Sequence, residues 1–301
     1  MKANAGDHAV GGIRLVIADR VARLRRVPWG LVIPAGVLLG AGGLAIFAPL
    51  ITPHDPTAGI LTEALRPPAW LDGGTADHLL GTDRLGRDIL ARLTYGLRLS
   101  LLVSGLGLTI LGIISIPLAV VSGYFGGFVD GAIQRFFEIT MAIPGILVAL
   151  ALALAVGPSL TNVLIIIAVS QAGRIVVPLR ADVLSIKKRG FIELAKTANA
   201  GSAYIVIRHV FPHVRDTSVI LLTLAIGQIV LLEAALSFLG VGIPPPAPSL
   251  GTVIAEGLPY LSRGWWISVF PGLIITVLVL SANMLGDWLR DHWDPRLETV
   301  Q

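Results

Sequence analysis

"GFIELAKTANAGSAYIVIRHVFPHV" runs from Gly190 to Val214, between two long apolar stretches. Phe191, Leu194, Ala195 and Ala198 recur at i, i+3, i+4 and i+7, the spacing of one helix face, while Glu193, Lys196 and Thr197 point elsewhere. Asn199-Ala200-Gly201 then interrupts the pattern, and Asn and Gly are the residues that best tolerate the left-handed conformation at a helix end. A second amphipathic turn follows through Tyr204, Ile205, Ile207 and Arg208, and Pro212 predicts a further break. The reading is helix, sharp turn, helix. Residues of this kind suit an interfacial helix resting on headgroups, and they equally suit a docking element for a soluble partner.

The flanks decide what this segment interrupts. The chain is 54% hydrophobic and 14% charged, with a mean hydropathy of +0.80. Soluble domains carry about 25% charged residues, so the composition is that of an integral membrane protein. Six stretches approach the roughly 20 apolar residues that a span needs: Trp29 to Ile51, Leu97 to Tyr124, Ala132 to Val156, Leu160 to Leu179, Ser218 to Leu239 and Trp265 to Leu285. About 28 polar, basic residues precede the first, which reads as a retained anchor and not a cleaved signal. Pro117, Pro144, Pro178 and Pro271 interrupt the spans, as kinks or as moving parts.

Lysine and arginine set the orientation. With the N-terminus inside, segments 1–28, 125–131, 180–217 and 286–301 carry six, zero, seven and two basic residues, fifteen in all. Segments 52–98, 157–159 and 240–264 carry five, zero and one. The asymmetry predicts both termini inside and places 190–214 on the cytoplasmic face. Trp265 and Trp266 fit an outer aromatic belt, and Trp288 and Trp293 an inner one.

Much chemistry is excluded. There is no cysteine, hence no disulfide or thiolate site. No phosphate-cradling GxxxxGK[ST] loop, HExxH or GxSxG occurs. His209 and His213 have i,i+4 spacing, but Pro212 lies between them and no third ligand is evident, so no metal site is expected. The net charge of +4, with few aromatics among the basic residues, gives no nucleic-acid signature.

Several polar residues ask for roles. Gly81 to Asp88, "GTDRLGRD", is turn-rich and sits just before the second span, with Asp88 and Arg92 in favourable i,i+4 order. Asp83, Arg87 and Asp88 are candidates for an external docking or gating element; the segment equally reads as a helix cap. Asp130, Arg135 and Glu138 cluster at the inner end of the third span, where Arg135 and Glu138 share a face. Glu233 lies mid-span, so it lines a path or makes an interhelical hydrogen bond. These four and Arg174 are the candidates for the translocation path.

The Gly190–Val214 segment resembles the loop with which permeases of ABC importers dock onto their ATPase subunits. Glu193-Leu194-Ala195 stands where that family has Glu-Ala-Ala, and Ile207, Phe211 and Pro212 match its Ile and Leu-Pro. Asn199 takes the place of the family's turn glycine, and Asn can adopt the same turn. "RPPAW" at 66–70, "HLLGTDRLGRDILARLTYGLRLSLLVSG" at 78–105, "GYFGGFVDGAIQRFFEITMAIPGILVAL" at 123–150, "LSFLGVGIPPPAPSLGTVI" at 236–254 and "MLGDWLRDHWDP" at 284–295 narrow the resemblance. They are similar to the second permease subunit of dipeptide and oligopeptide importers. Val177 stands where an Arg is usual, with Arg174 one turn away, and Leu250 where a Trp is common.

The resemblance implies an all-α polytopic fold with six transmembrane helices, type I importer topology and N-in, C-in orientation in the cytoplasmic (inner) membrane. It divides the chain into a cytoplasmic segment 1–28, a first span 29–51, an external loop 52–96, a transmembrane domain 97–290 with a coupling loop 190–214, and a tail 291–301. Glu193, Ala195, Asn199, Gly201, Ile207, Arg208 and Pro212 become the ATPase-coupling candidates. Implied partners are a homologous second permease, two ATPase subunits that carry ATP and magnesium, an external substrate-binding protein and membrane lipid. No cofactor is expected on this chain, and no catalytic residue. Nickel chelate, glutathione or haem are alternative cargoes, and a stand-alone secondary transporter is the alternative class, which inverted repeats would mark.

Overall fold

The computed structural model describes residues 29–293. The N-terminal segment 1–28 and residues 294–301 of the tail lie outside the described residues. The described chain is helical throughout its regular structure, with no strand beyond one isolated bridge, Thr82 to Asp88.

Helix α1 is Trp29–Ile46 and α2 is Ile89–Phe125. A broken pair follows, α3 (Gly127–Ala142) and α4 (Gly145–Val156), then a bent pair, α5 (Leu160–Gln171) and α6 (Gly173–Lys187). Helix α7 (Gly190–Thr197) leads to α8 (Ser202–Ile205), a π-helical turn Val206–Val210 and α9 (Phe211–Phe238). Helix α10 (Leu250–Gly257) precedes the last long helix, α11 (Trp266–Trp293). Among the described residues, four stretches are long and apolar enough to cross a membrane singly: α1, α2, Ser202–Phe238 and α11; the number rises to as many as six if each bent pair counts as one span.

Of Pro117, Pro144, Pro178 and Pro271, only one breaks its span. Pro117, Pro178 and Pro271 lie inside continuing helices. Pro144 is different. Ile143 before it is extended (φ −99°, ψ 137°), as the residue preceding proline prefers, and α3 meets α4 at 97°. The expected continuous span from Ala132 to Val156 is therefore two short helices at nearly a right angle. The other bend, 42° between α5 and α6, falls at Ala172, upstream of Pro178.

Packing fixes two ends. At one, Asp130 pairs with Arg180, Lys187 sits 5.7 Å over the Tyr124 ring, and a Cβ on Gly30 would lie 3.4 Å from Trp288. At the other, the stretch before α2 meets α10 and the start of α11. The start of α1 and the last turns of α11 thus share one end with α7, and the 52–88 and 240–264 connections share the opposite one.

The core follows the same division. One cluster contains Leu111, Val120, Ile175, Leu179 and Val183, and it takes in Ile192, Ile205 and Val210 from the α7 end. The second contains Ile89, Leu93, Val230, Ala234, Leu250, Val253 and Trp266 at the opposite end. Trp266 is 4% exposed and its indole donates to the Thr82 carbonyl (3.1 Å), so it is a core residue and not the belt residue expected. Trp265 is 39% exposed.

Candidate coupling and gating sites

Helix α7 is short, and its end is closed by backbone alone. The amide of Ala200 donates to Ala195 O (3.0 Å) and that of Asn199 to Lys196 O (2.9 Å), the two bonds of a Schellman motif. Asn199 has φ 59°, so it takes the left-handed turn position. Gly201 does not: its φ is −63° and nothing lies near a Cβ built there. The two residues expected to share the turn therefore divide, and only Asn199 bears its cost.

The buried face of α7 is not the one that periodicity suggests. Ile192 is fully buried, with Phe191 and Ala195 packed against the same cluster, while Leu194 is 71% exposed. Eight residues admit two frames of the same period, and the core takes the frame that carries Ile192. Phe191 stacks on His213 at 5.0 Å, which ties α7 to α9. Leu194, Tyr204, Ile207 and Phe211 are left as an exposed apolar group beside exposed Glu193 and Arg208.

Pro212 does not end the helix. A proline ring strikes the carbonyl four residues back in regular α geometry. Here the turn before it widens: Phe211 N–H bonds Val206 O, an i→i−5 link, and the chain stays helical from Ser202 to Phe238. At 1.5 Å per residue that is a rod of about 55 Å. The expected short unit bounded by Pro212 is instead the first part of a full span. His213 Nδ1 lies 2.6 Å from the His209 carbonyl, the reach of one helical turn.

The inner polar trio is split. Asp130 accepts two bonds from Arg180, each 2.5 Å, and another from Ser122. Arg135 and Glu138 pair at 3.1 Å, with side chains 82% and 59% exposed, on the outside of α3. Arg174 is exposed, its guanidinium 3.5 Å from Gln228, and Val177 packs on the core. Glu233 is fully buried and accepts from Ser100 (2.8 Å) of α2 and from Ser237 (2.8 Å). Of the two roles open to it, this geometry is the interhelical one.

At the opposite end the GTDRLGRD segment folds around Asp83, which is fully buried. Its Oδ1 accepts from the amides of Leu85 (2.8 Å) and Arg87 (3.0 Å), and its Oδ2 from Arg87 Nε (2.6 Å) and Arg92 Nη1 (2.5 Å). Arg92 reaches on to Glu256 of α10 (2.7 Å), which Arg87 also bonds. Gly86 makes the turn possible: φ is 75° and a Cβ would collide with the Ile60 carbonyl. The expected Asp88–Arg92 pair is not what forms. Asp88 caps α2 through the Ala91 amide (2.8 Å) and accepts from His78 Nδ1 (2.9 Å). Asp83 and Asp88 are thus buried, and within this chain they hold the end together instead of presenting a surface.

Burial opposes ionisation of Glu256, but hydrogen bonding and the charge of Arg92, with Arg87 behind it, outweigh that and hold its carboxyl below the usual range. Burial likewise opposes a charge on His78, and Asp88 and Glu63 outweigh it, so its pKa lies above the ordinary histidine value. Glu256, Glu63 and His78 were not singled out by the sequence, and Trp266 was assigned to a belt and not to this network. Glu256 is 164 residues from Arg92, and no spacing rule reaches that far.

Comparison with known proteins follows this geometry. The family model described as "Binding-protein-dependent transport system inner membrane component" matches residues 115–299. The chain belongs to that family. This inner-membrane component is 39% identical over 257 residues to the di/tripeptide transport system permease protein DppC of Pseudomonas aeruginosa, covering 85% of this chain and 84% of the relative. It is 40% identical over 255 residues to the dipeptide transport system permease protein DppC of Escherichia coli K12, covering 85% of each. A putative peptide transport system permease protein of Brucella suis is 35% identical over 285 residues, 94% of this chain and 92% of that one. Among solved structures, the MetNI methionine ABC transporter in inward-facing conformations aligns with a TM-score of 0.52 and 19% identity, over 66% of this chain and 95% of that one. That likeness shows a shared fold. This inner-membrane component is a multi-pass membrane protein of an ABC importer.

Proposed function

We propose that this chain is one permease subunit of an ATP-driven importer for di- and oligopeptides, delivered by an external binding protein. It shares the path with a second, homologous permease, and α7 takes the push of separate ATPase subunits. The observation that carries the coupling role is the exposed apolar group Leu194, Ile207 and Phe211 around a rigid turn, on a segment anchored by buried Ile192. Burying each such side chain in a partner's cleft is worth about 1.5–3 kcal/mol. The substrate class rests on the peptide-permease relatives at 35–40% identity. The excess of basic residues in the segments at the α7 end supports a cytoplasmic face there.

The mechanism is alternating access. Closure of the ATPase dimer displaces α7 and the start of the Ser202–Phe238 rod. The rod carries the displacement to Glu233 and Ser100, and so to α2. It also carries it to α10, because a Cβ on Gly251 would collide with the Ala234 carbonyl, so the two backbones move in contact. No step needs a nucleotide on this chain.

The test is reconstitution with the second permease, ATPases and binding protein in liposomes, with a labelled dipeptide outside. ATP-dependent uptake that disappears when the ATPases are left out supports the reading. Uptake by this chain without ATPases, driven by an ion gradient, overturns the coupling role. ATP-dependent uptake of a nickel chelate, glutathione or haem but not of dipeptide overturns the substrate class alone.

A further inference from the structure

The external end holds a second polar cluster that the coupling mechanism does not use. His54, His78 and Asp88 each bring one ligand-type atom to within 4.8 Å of the others. They line a cavity of about 190 Å³ together with Glu63 and Gly86. The three come from different stretches: the strap after α1, the turn ending at His78, and the cap of α2.

The geometry points to a binding site for one divalent transition cation, of the zinc type that imidazole and carboxylate ligands prefer, held by His54, His78 and Asp88. His78 is gripped on both sides. Its Nε2 lies 3.2 Å from Glu63 Oε2, and a carboxylate there requires the ring to donate Nε2–H. With Nε2–H given to Glu63, Nδ1, 2.9 Å from Asp88 Oδ1, is the position that either carries the proton donated to Asp88 or offers its lone pair to a cation. Two acceptors in this position need a proton or a cation between them. The neighbouring His54 ring favours the metal, because a third donor has no part in a simple proton bridge. Two imidazoles on one tetrahedral ion, with metal–nitrogen bonds of about 2.0–2.1 Å, place their centroids roughly 5 Å apart. The His54 and His78 centroids are 4.9 Å apart. Glu63 is then the outer carboxylate that orients a ligating histidine through its other nitrogen. Asp88 Oδ2 is already engaged by the Ala91 amide, which leaves Oδ1 for the ion. A bound ion clamps the 54–63 strap to the start of α2.

The experiment uses the assembled transporter in detergent, purified without a histidine tag, stripped with chelator and titrated with Zn²⁺ by calorimetry and with Co²⁺ by visible absorption. His54→Ala is the deciding variant, since His54 is only half-buried and neither caps a helix nor joins the Asp83 network. We expect one Zn²⁺ per copy of this chain, weakened at least tenfold by His54→Ala and about 10–100-fold by Glu63→Gln, with the four-coordinate Co²⁺ spectrum lost in His54→Ala. Failure of the wild-type transporter to take up Zn²⁺, or equal affinity in wild type and His54→Ala, overturns the site. Neither result depends on whether peptides are carried.

Discussion

The two ends of this bundle are built on opposite terms. At the end opposite α7, Asp83, Arg87, Arg92 and Glu256 are joined by charge-assisted bonds across segments far apart in sequence. At the α7 end Asp130 and Arg180 also pair, but Leu194 and Ile207 of the α7–α9 segment are each 71% exposed, and that segment is held by a turn motif and by buried Ile192, Ile205 and Val210. The first arrangement is costly to open, because removing one partner leaves an uncompensated buried charge. The second leaves apolar surface for another chain to cover. The proposed coupling at α7 would use that asymmetry: a surface that yields to a partner, and a distant end that moves as a block.

Substitutions can break this contrast, and the largest effect belongs to the end opposite α7. Asp83→Ala leaves Arg92, 2% exposed, without its main partner, and should cost about 3–5 kcal/mol. Thermal unfolding of the solubilised protein measures it; a loss under 1 kcal/mol would mean the network is not what holds that end. Next comes Glu193→Lys at the other end. Uptake in the reconstituted system should fall at least tenfold, while the amount of permease in the membrane and its unfolding temperature stay unchanged. Wild-type uptake by this variant would remove Glu193 from the coupling surface.

Acidification sharpens the contrast. The Glu256 carboxyl is held below its ordinary pKa chiefly by Arg92, against the opposing effect of burial. Its stabilisation is present above the unfolded-state carboxylate value and is lost as pH falls through the lower folded value. As pH falls from neutral through and below the ordinary carboxylate value, the unfolding temperature of wild type should therefore drop more than that of Glu256→Gln, with most of the difference appearing below that value; parallel curves would remove Glu256 from the Asp83–Arg92 network. The smallest effects lie in the α7 turn. Asn199→Gly relieves a non-glycine φ of 59° and should change stability by no more than about 1 kcal/mol with uptake preserved. Gly201→Ala should be nearly silent in the same uptake measurement, because its surroundings are open.

The spans were legible because apolar runs of this length have few other uses, and the turn at Asn199 because few residues accept positive φ. The buried face of α7 was not, since Leu194 and Ile192 differ only in what lies opposite them. Pro212 misled because a proline's cost can be absorbed by one widened turn, which leaves no mark in the sequence. The Asp83–Arg92–Glu256 and His54–His78–Asp88 groups were invisible for one reason: each joins stretches that only the completed fold brings together.

The right-angled break at Pro144 has a consequence for how its two halves are held. Helix α3 has 16 residues and α4 has 12, which at 1.5 Å each gives about 24 and 18 Å. Neither length crosses a hydrocarbon layer of about 30 Å. Such a segment cannot lodge in the bilayer as a free-standing stop. The elbow is held instead by its neighbours, through Phe137 of α3 and Ala149 and Ala153 of α4, which are buried in the common core.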